Sequence, residues 1–166
     1  MRRAIRRRAR GPAIDVIIDS PGWKRHPAAA SLVRRAVTTA APAPARTCEL
    51  AVMLTDDKSI RALNRQWRGK NAATNVLSFP AAPGGRSAAR LLGDIVIAYE
   101  TTAAESRAEG KPFDHHLVHL VVHGFLHLLG YDHESDREAE EMERRERKIL
   151  AQLDVPDPYA ARDAQA

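Results

Sequence analysis

Apolar residues recur along the chain with periods that predict four strands and five helices. Ile14, Val16 and Ile18 take alternate positions between Ala13 and Asp19, the period of a half-buried strand. Residues 27–39 read as a helix after the Pro21-Gly22 turn, and the two prolines of 41–45 break it. Residues 48–54 alternate again and predict a second strand. Over 56–68, Ile60, Leu63 and Trp67 recur at helical spacing and predict one apolar face. Residues 75–79 form a short strand that stops at Pro80. Residues 81–90 hold Pro83, Gly84, Gly85 and Ser87 and read as a mobile loop. A buried strand over 93–98 and a helix over 101–109 follow, closed by Gly110, Lys111 and Pro112. A long helix, rich in histidine and leucine, runs over 113–129 to Gly130. Ser135 and Glu138 have capping-box spacing and start a last helix that runs to about Leu153. Pro156 and Pro158 mark a frayed end.

No helix separates the strands near 75–79 and 93–98, which predicts a mixed sheet with helices packed on it. The expected fold is therefore α/β (α+β), in a single domain. That domain is expected over 13–153, between an Arg-rich, disordered arm over 1–12 and a flexible tail over 154–166.

Composition and charge narrow this picture. With 44% hydrophobic and 28% charged residues, the 166-residue chain can bury an ordinary core. Cys48 is the only cysteine, which excludes a disulfide scaffold and a cysteine-based zinc finger and suits a reducing compartment. No apolar run approaches the ~18 residues of a membrane span. The net charge of +5 is mostly local, because six arginines lie within the first ten residues. The 26 basic residues less those six leave 20, against 21 acids. The apolar stretch behind them, Ile14 to Ile18, is short and carries Asp15 and is followed by Asp19, which is not the pattern of a secretory signal. A basic arm that touches nucleic acid and a disordered leader with no specific role both fit.

The candidate chemistry lies in the histidines. Six of the seven fall between positions 115 and 133. His123 and His127 are four apart on a helix, so both rings project from one face and can grip one metal ion. A third histidine on the same stripe would drift around the helix by about 40° per four-residue step. His133 instead arrives from beyond the Gly130 turn, completing three ligands and leaving a fourth position for water, the pattern of catalytic zinc. The spacing equals that of the metzincin proteases, except that their general-base glutamate is Gly124 here, which argues against peptide hydrolysis. His119 is expected to pack behind the ligands and hydrogen-bond to them, or else to be a fourth ligand. His115 and His116 are expected to face solvent. Asp132 is a candidate to orient a ligand ring or move a proton.

A second constellation is basic. Lys58, Arg61, Arg65, Arg68, Lys70, Arg86 and Arg90 follow one another with no acid between them, a local positive field suited to phosphates. Arg68 stands at a helix end just before Gly69-Lys70, where a guanidinium can take a phosphate with two hydrogen bonds. Arg65, Lys70 and Arg86 are the further candidates for substrate binding.

Three segments together resemble the YbeY family. They are Leu63 to Pro80 (LNRQWRGKNAATNVLSFP), Leu92 to Ala98 (LGDIVIA), and His119 to His133 (HLVVHGFLHLLGYDH). The resemblance spans roughly 13–153, with Trp67 standing where a tyrosine is common. It implies a mixed four-stranded sheet surrounded by helices, with a metal site at the C-terminal end of a long central helix. It also implies a cytoplasmic, zinc-dependent, single-strand-specific endoribonuclease. Such an enzyme would mature the 3′ end of small-subunit ribosomal RNA and serve ribosome quality control. His123, His127 and His133 would hold one Zn²⁺ and Arg68 would act in catalysis. RNA is the implied partner, with small-subunit ribosomal proteins or an assembly GTPase beside it. The competing expectation is a non-catalytic ribosome-assembly factor stabilised by zinc, with His119 as a fourth ligand.

Overall fold

The computed structural model of the protein describes residues 11–42, 47–82 and 90–164. Residues 1–10 of the basic arm and Arg86 in the Gly-rich loop lie outside the described residues. Strand β1 (Ala13–Ile18) leads through a short 3₁₀ turn (Pro21–Arg25) into helix α1 (Ala29–Ala40). Strand β2 (Cys48–Thr55), helix α2 (Asp57–Arg68), and strands β3 (Val76–Pro80) and β4 (Arg90–Ala98) follow. Four more helices complete the order: α3 (Tyr99–Ala108), α4 (Phe113–Leu128), α5 (Asp136–Gln152) and α6 (Ala160–Asp163).

The sheet is four-stranded, in the order β1-β2-β4-β3. β1 pairs parallel with β2, and β2 with β4, while β3 runs antiparallel to β4 at the edge. The strands with no helix between them are thus the antiparallel pair, and the sheet is mixed as expected. α1 and α4 cover one face over Leu50, Val52, Leu54, Ile95 and Ile97. α2 covers part of the other over Leu77, Val96 and Ala98.

Helix α4 is the centre of the domain. Leu117, Val121, Val122, Phe125 and Leu126 are all buried on it. Each such side chain contributes roughly 1.5–3 kcal/mol by leaving water. α4 seats on β3 through Gly124, where a Cβ would lie 3.0 Å from Ser78 Oγ and 3.1 Å from Ile95 Cγ2. Ser78 Oγ donates to the carbonyl of Gly124 across that seam (3.0 Å). Position 124 therefore faces the sheet, and the missing protease glutamate has a packing reason.

Several expectations need correction. His116 is 5% exposed rather than solvated, and its Nε2 lies 2.8 Å from Glu105 Oε2. That carboxylate also accepts from Asn75 Nδ2, so the ring is held between helices instead of facing water. Trp67 does not share the buried face of Ile60, because the last turn of α2 reaches the edge strand, where its ring meets Phe79 edge-on (6.2 Å). Ile14 and Val16 pack on the core, but Ile18, at the end of edge strand β1, is exposed. Residues 154–164, expected as a flexible tail, fold back instead: Tyr159 contacts α5 and Arg162 pairs with Glu143.

Gly93 lets β3 reach its partner. Its φ of 129° is open to glycine, and a Cβ there would fall 2.1 Å from the carbonyl oxygen of Phe79. Gly93→Ala is expected to destabilise the domain by about 3 kcal/mol, read as a lower urea midpoint at unchanged slope.

Candidate metal centre and phosphate cleft

Three elements bring the site together. α4 supplies His123 and His127 on one stripe. Gly130, at φ 94°, turns the chain after α4, and the segment beyond it returns His133. Asp132 supports that return through the backbone, its Oδ1 accepting from the N–H of His133 (2.8 Å). The capping box of Ser135 and Glu138 then starts α5 where the sequence places it.

The three imidazoles converge. One ring nitrogen of each lies within 4.8 Å of the other two. The Nε2 atoms of His123 and His127 are 3.1 Å apart. Two nitrogens each 2.0–2.1 Å from one tetrahedral ion would stand about 3.3 Å apart, so the spacing fits a metal ion. Electrostatics agree. Burial, then the charges of His123 and His133, push the His127 pKa down, favouring the neutral ring that a metal needs.

His123 is fixed from behind by a residue the sequence reading missed. Its Nδ1 lies 2.6 Å from Oε1 of Glu146, a carboxylate with 0% exposure on α5. A proton on Nδ1 donates to that carboxylate and leaves the Nε2 lone pair facing the site. Burial alone would raise the Glu146 pKa. The pull of His119, His123 and Tyr159 outweighs it and brings the group down to about 2. Tyr159 donates its hydroxyl to Glu146 Oε2, and burial together with that carboxylate raises the phenol's own pKa. His119 stands in this rear layer, its Nε2 3.6 Å from Glu146 Oε2, and outside the converging three. A signal existed in the sequence: Met142, Glu146 and Leu150 form one four-residue stripe, so a carboxylate occupies an otherwise apolar line.

Arg68 reaches the same cleft. It is the last residue of α2, which ends at Gly69 in the left-handed region. Its Nη2 lies 3.4 Å from the Ser78 carbonyl on β3. Arg68, Asn75, Ser78 and the three converging histidines line one cavity of about 560 Å³. A cation and a triad that could hold a metal, placed across one cleft, can bind a phosphodiester between them. Buried Asn64 braces the turn after α2 by donating to the carbonyl of Ala72 (2.8 Å), and Arg61 donates to Asn71 (2.9 Å). Arg65 and Lys70 are exposed and do not line the cleft.

Comparison with known proteins places the chain in a family. The family model described as "Endoribonuclease YbeY" matches residues 23–154. A curated endoribonuclease YbeY of Nitrobacter hamburgensis is 54% identical over 163 residues, covering 93% of this chain and 86% of that protein. Two endoribonuclease YbeY proteins from strains of Rhodopseudomonas palustris are 56% and 58% identical, each covering 92% of this chain. They are themselves covered over 92% and 83% of their lengths. The solution structure of TM1509 from Thermotoga maritima aligns at a TM-score of 0.48 with 23% identity, covering 87% of this chain and 97% of that one. That likeness is too distant to bear on the argument. On the match over 23–154 and identities above half, the chain belongs to the endoribonuclease YbeY family.

Proposed function

We propose that this protein is a zinc-dependent, single-strand-specific endoribonuclease that acts in ribosomal RNA processing. Its proposed task is 3′-end maturation of small-subunit RNA and ribosome quality control in the cytoplasm. Small-subunit ribosomal proteins or an assembly GTPase are its proposed companions. The observation that carries this reading is the convergence of His123, His127 and His133 opposite Arg68 in one cleft. Family membership supports the nuclease activity, and the all-nitrogen donor set suits zinc. Among the described residues no helix is long and apolar enough to cross a membrane.

The residues divide the work. His123, His127 and His133 would hold Zn²⁺, which when bound supplies a Lewis acid for the phosphate and lowers the pKa of water. Arg68 neutralises charge developing on the non-bridging oxygens. Glu146 keeps the His123 ring in one tautomer and one orientation. Asp132 holds the main chain that presents His133. The non-catalytic alternative is weakened by His119, which turns to Glu146 instead of completing a four-ligand structural site.

Metal analysis paired with cleavage of a structured ribosomal RNA precursor tests the reading. Wild type should carry about one zinc per chain and cut. His127→Ala should lose both. Arg68→Glu should keep zinc and lose cleavage by about a hundredfold or more. A wild type that holds zinc and binds RNA without cutting it would overturn the reading. Product ends decide the attacking group: a 5′-phosphate with a 3′-hydroxyl marks attack by water, and a 2′,3′-cyclic phosphate marks attack by the ribose 2′-hydroxyl. Glu146→Gln is expected to weaken zinc affinity by about 10–100-fold in competition with a chromophoric chelator, with the circular dichroism spectrum unchanged.

A further inference from the structure

The face of the sheet opposite α4 is only partly covered. α2 lies over the Val96 and Leu77 row. Beside it, register places Asp15, Ala51, Asp94 and Phe79 across the four strands in one row. The next row holds Ile17, Met53, Val96 and Leu77. The result is a groove of about 750 Å³ walled by Ile17, Met53, Trp67, Phe79 and Leu91, with Asp94 in it. Trp67 is 65% exposed and Leu91 56%, which is unusual for such large apolar side chains.

This groove continues the phosphate cleft. Ser78 and Pro80 line both cavities, because β3 is the edge strand and its outer side borders both faces of the sheet, while Phe79 between them points into the groove alone. Arg68, bonded to the Ser78 carbonyl, stands where the two meet, and Trp67 precedes it on α2. We propose that the groove is a nucleobase site: a base of a single-stranded RNA, next to the phosphate held at Arg68, crosses the edge of β3 and stacks on Trp67. This rests on the endoribonuclease reading above.

The chemistry of the two sides differs as a nucleotide does. The metal cleft offers cationic and metal-holding groups, suited to phosphate. The groove offers apolar walls, two aromatic rings and one carboxylate, which repels phosphate but accepts hydrogen bonds from base N–H groups. A flat, uncharged base with an N–H edge meets every one of these features. Its volume lies within the range of small-molecule sites.

Binding to two ligands with the same number of phosphates isolates the base. One is 2′-O-methylated hexa-adenylate, and the other is that backbone with abasic riboses throughout. Trp23 is 1% exposed and Trp67 65%, so quenching of solvent-exposed tryptophan emission reports on Trp67. The zinc-loaded wild type should bind the base-bearing hexamer at least about tenfold more tightly than the abasic one, with quenching. Trp67→Ala should bind both alike at unchanged zinc content, and Trp67→Phe should restore most of the preference. Equal binding of both ligands by the wild type overturns the base site and leaves the endoribonuclease reading standing. A preference that survives in Trp67→Ala also overturns it. If the wild type binds neither ligand, both readings fall. If Trp67→Ala keeps the preference but turns a dimeric wild type into a monomer in sedimentation, the groove is a face between copies and the proposal fails.

Discussion

A carboxylate with no exposure to water accepts a hydrogen bond from His123, and the functional site depends on that contact. α4 is buried almost all round, so any polar ring on it must be desolvated or satisfied. Glu146 resolves this by giving the inner nitrogen of His123 a partner, so that only the outer nitrogen faces the cleft. The cost of burying Glu146 is offset by several partners at once: His123, Tyr159 and the nearby His119. The site is thus built from outside inward: α5 and the residues before α6 hold Glu146, Glu146 holds His123, and His123 joins the converging three.

The second constraint is the edge strand. β3 touches α4 through Ser78 and Gly124, α2 through Phe79 and Trp67, and Arg68 through its main chain. A short strand with a helix on each side brings an arginine of α2 to histidines of α4. Gly93 allows that strand to come close enough, and Gly124 allows α4 to settle on it. The cleft of Arg68 and the histidines and the groove of Trp67 then fall on opposite faces of the same five-residue strand.

The sequence made the elements and the converging histidines legible because both follow local rules. Hydrophobic period, capping residues and glycine stops depend on neighbours in the chain. The His123, His127 and His133 spacing is also local, running down one helix stripe and around one turn. Arg68 was legible through its place at a helix end and through the resemblance carried by residues 63–80. The same local rules misplace His116, whose partner Glu105 lies on another helix, and Trp67, whose helical phase matches Ile60 but whose turn reaches the sheet edge.

By itself, then, the sequence determined the family, the four strands and the three histidines that converge, because those are encoded in contiguous spacing. Only the tertiary structure decided what stands behind and across from them. The order β1-β2-β4-β3, the rear carboxylate Glu146, the return of Tyr159 and the meeting of Arg68 with the triad join residues far apart in the chain. No period or motif reports such pairs, since they are set by which faces must be buried against each other.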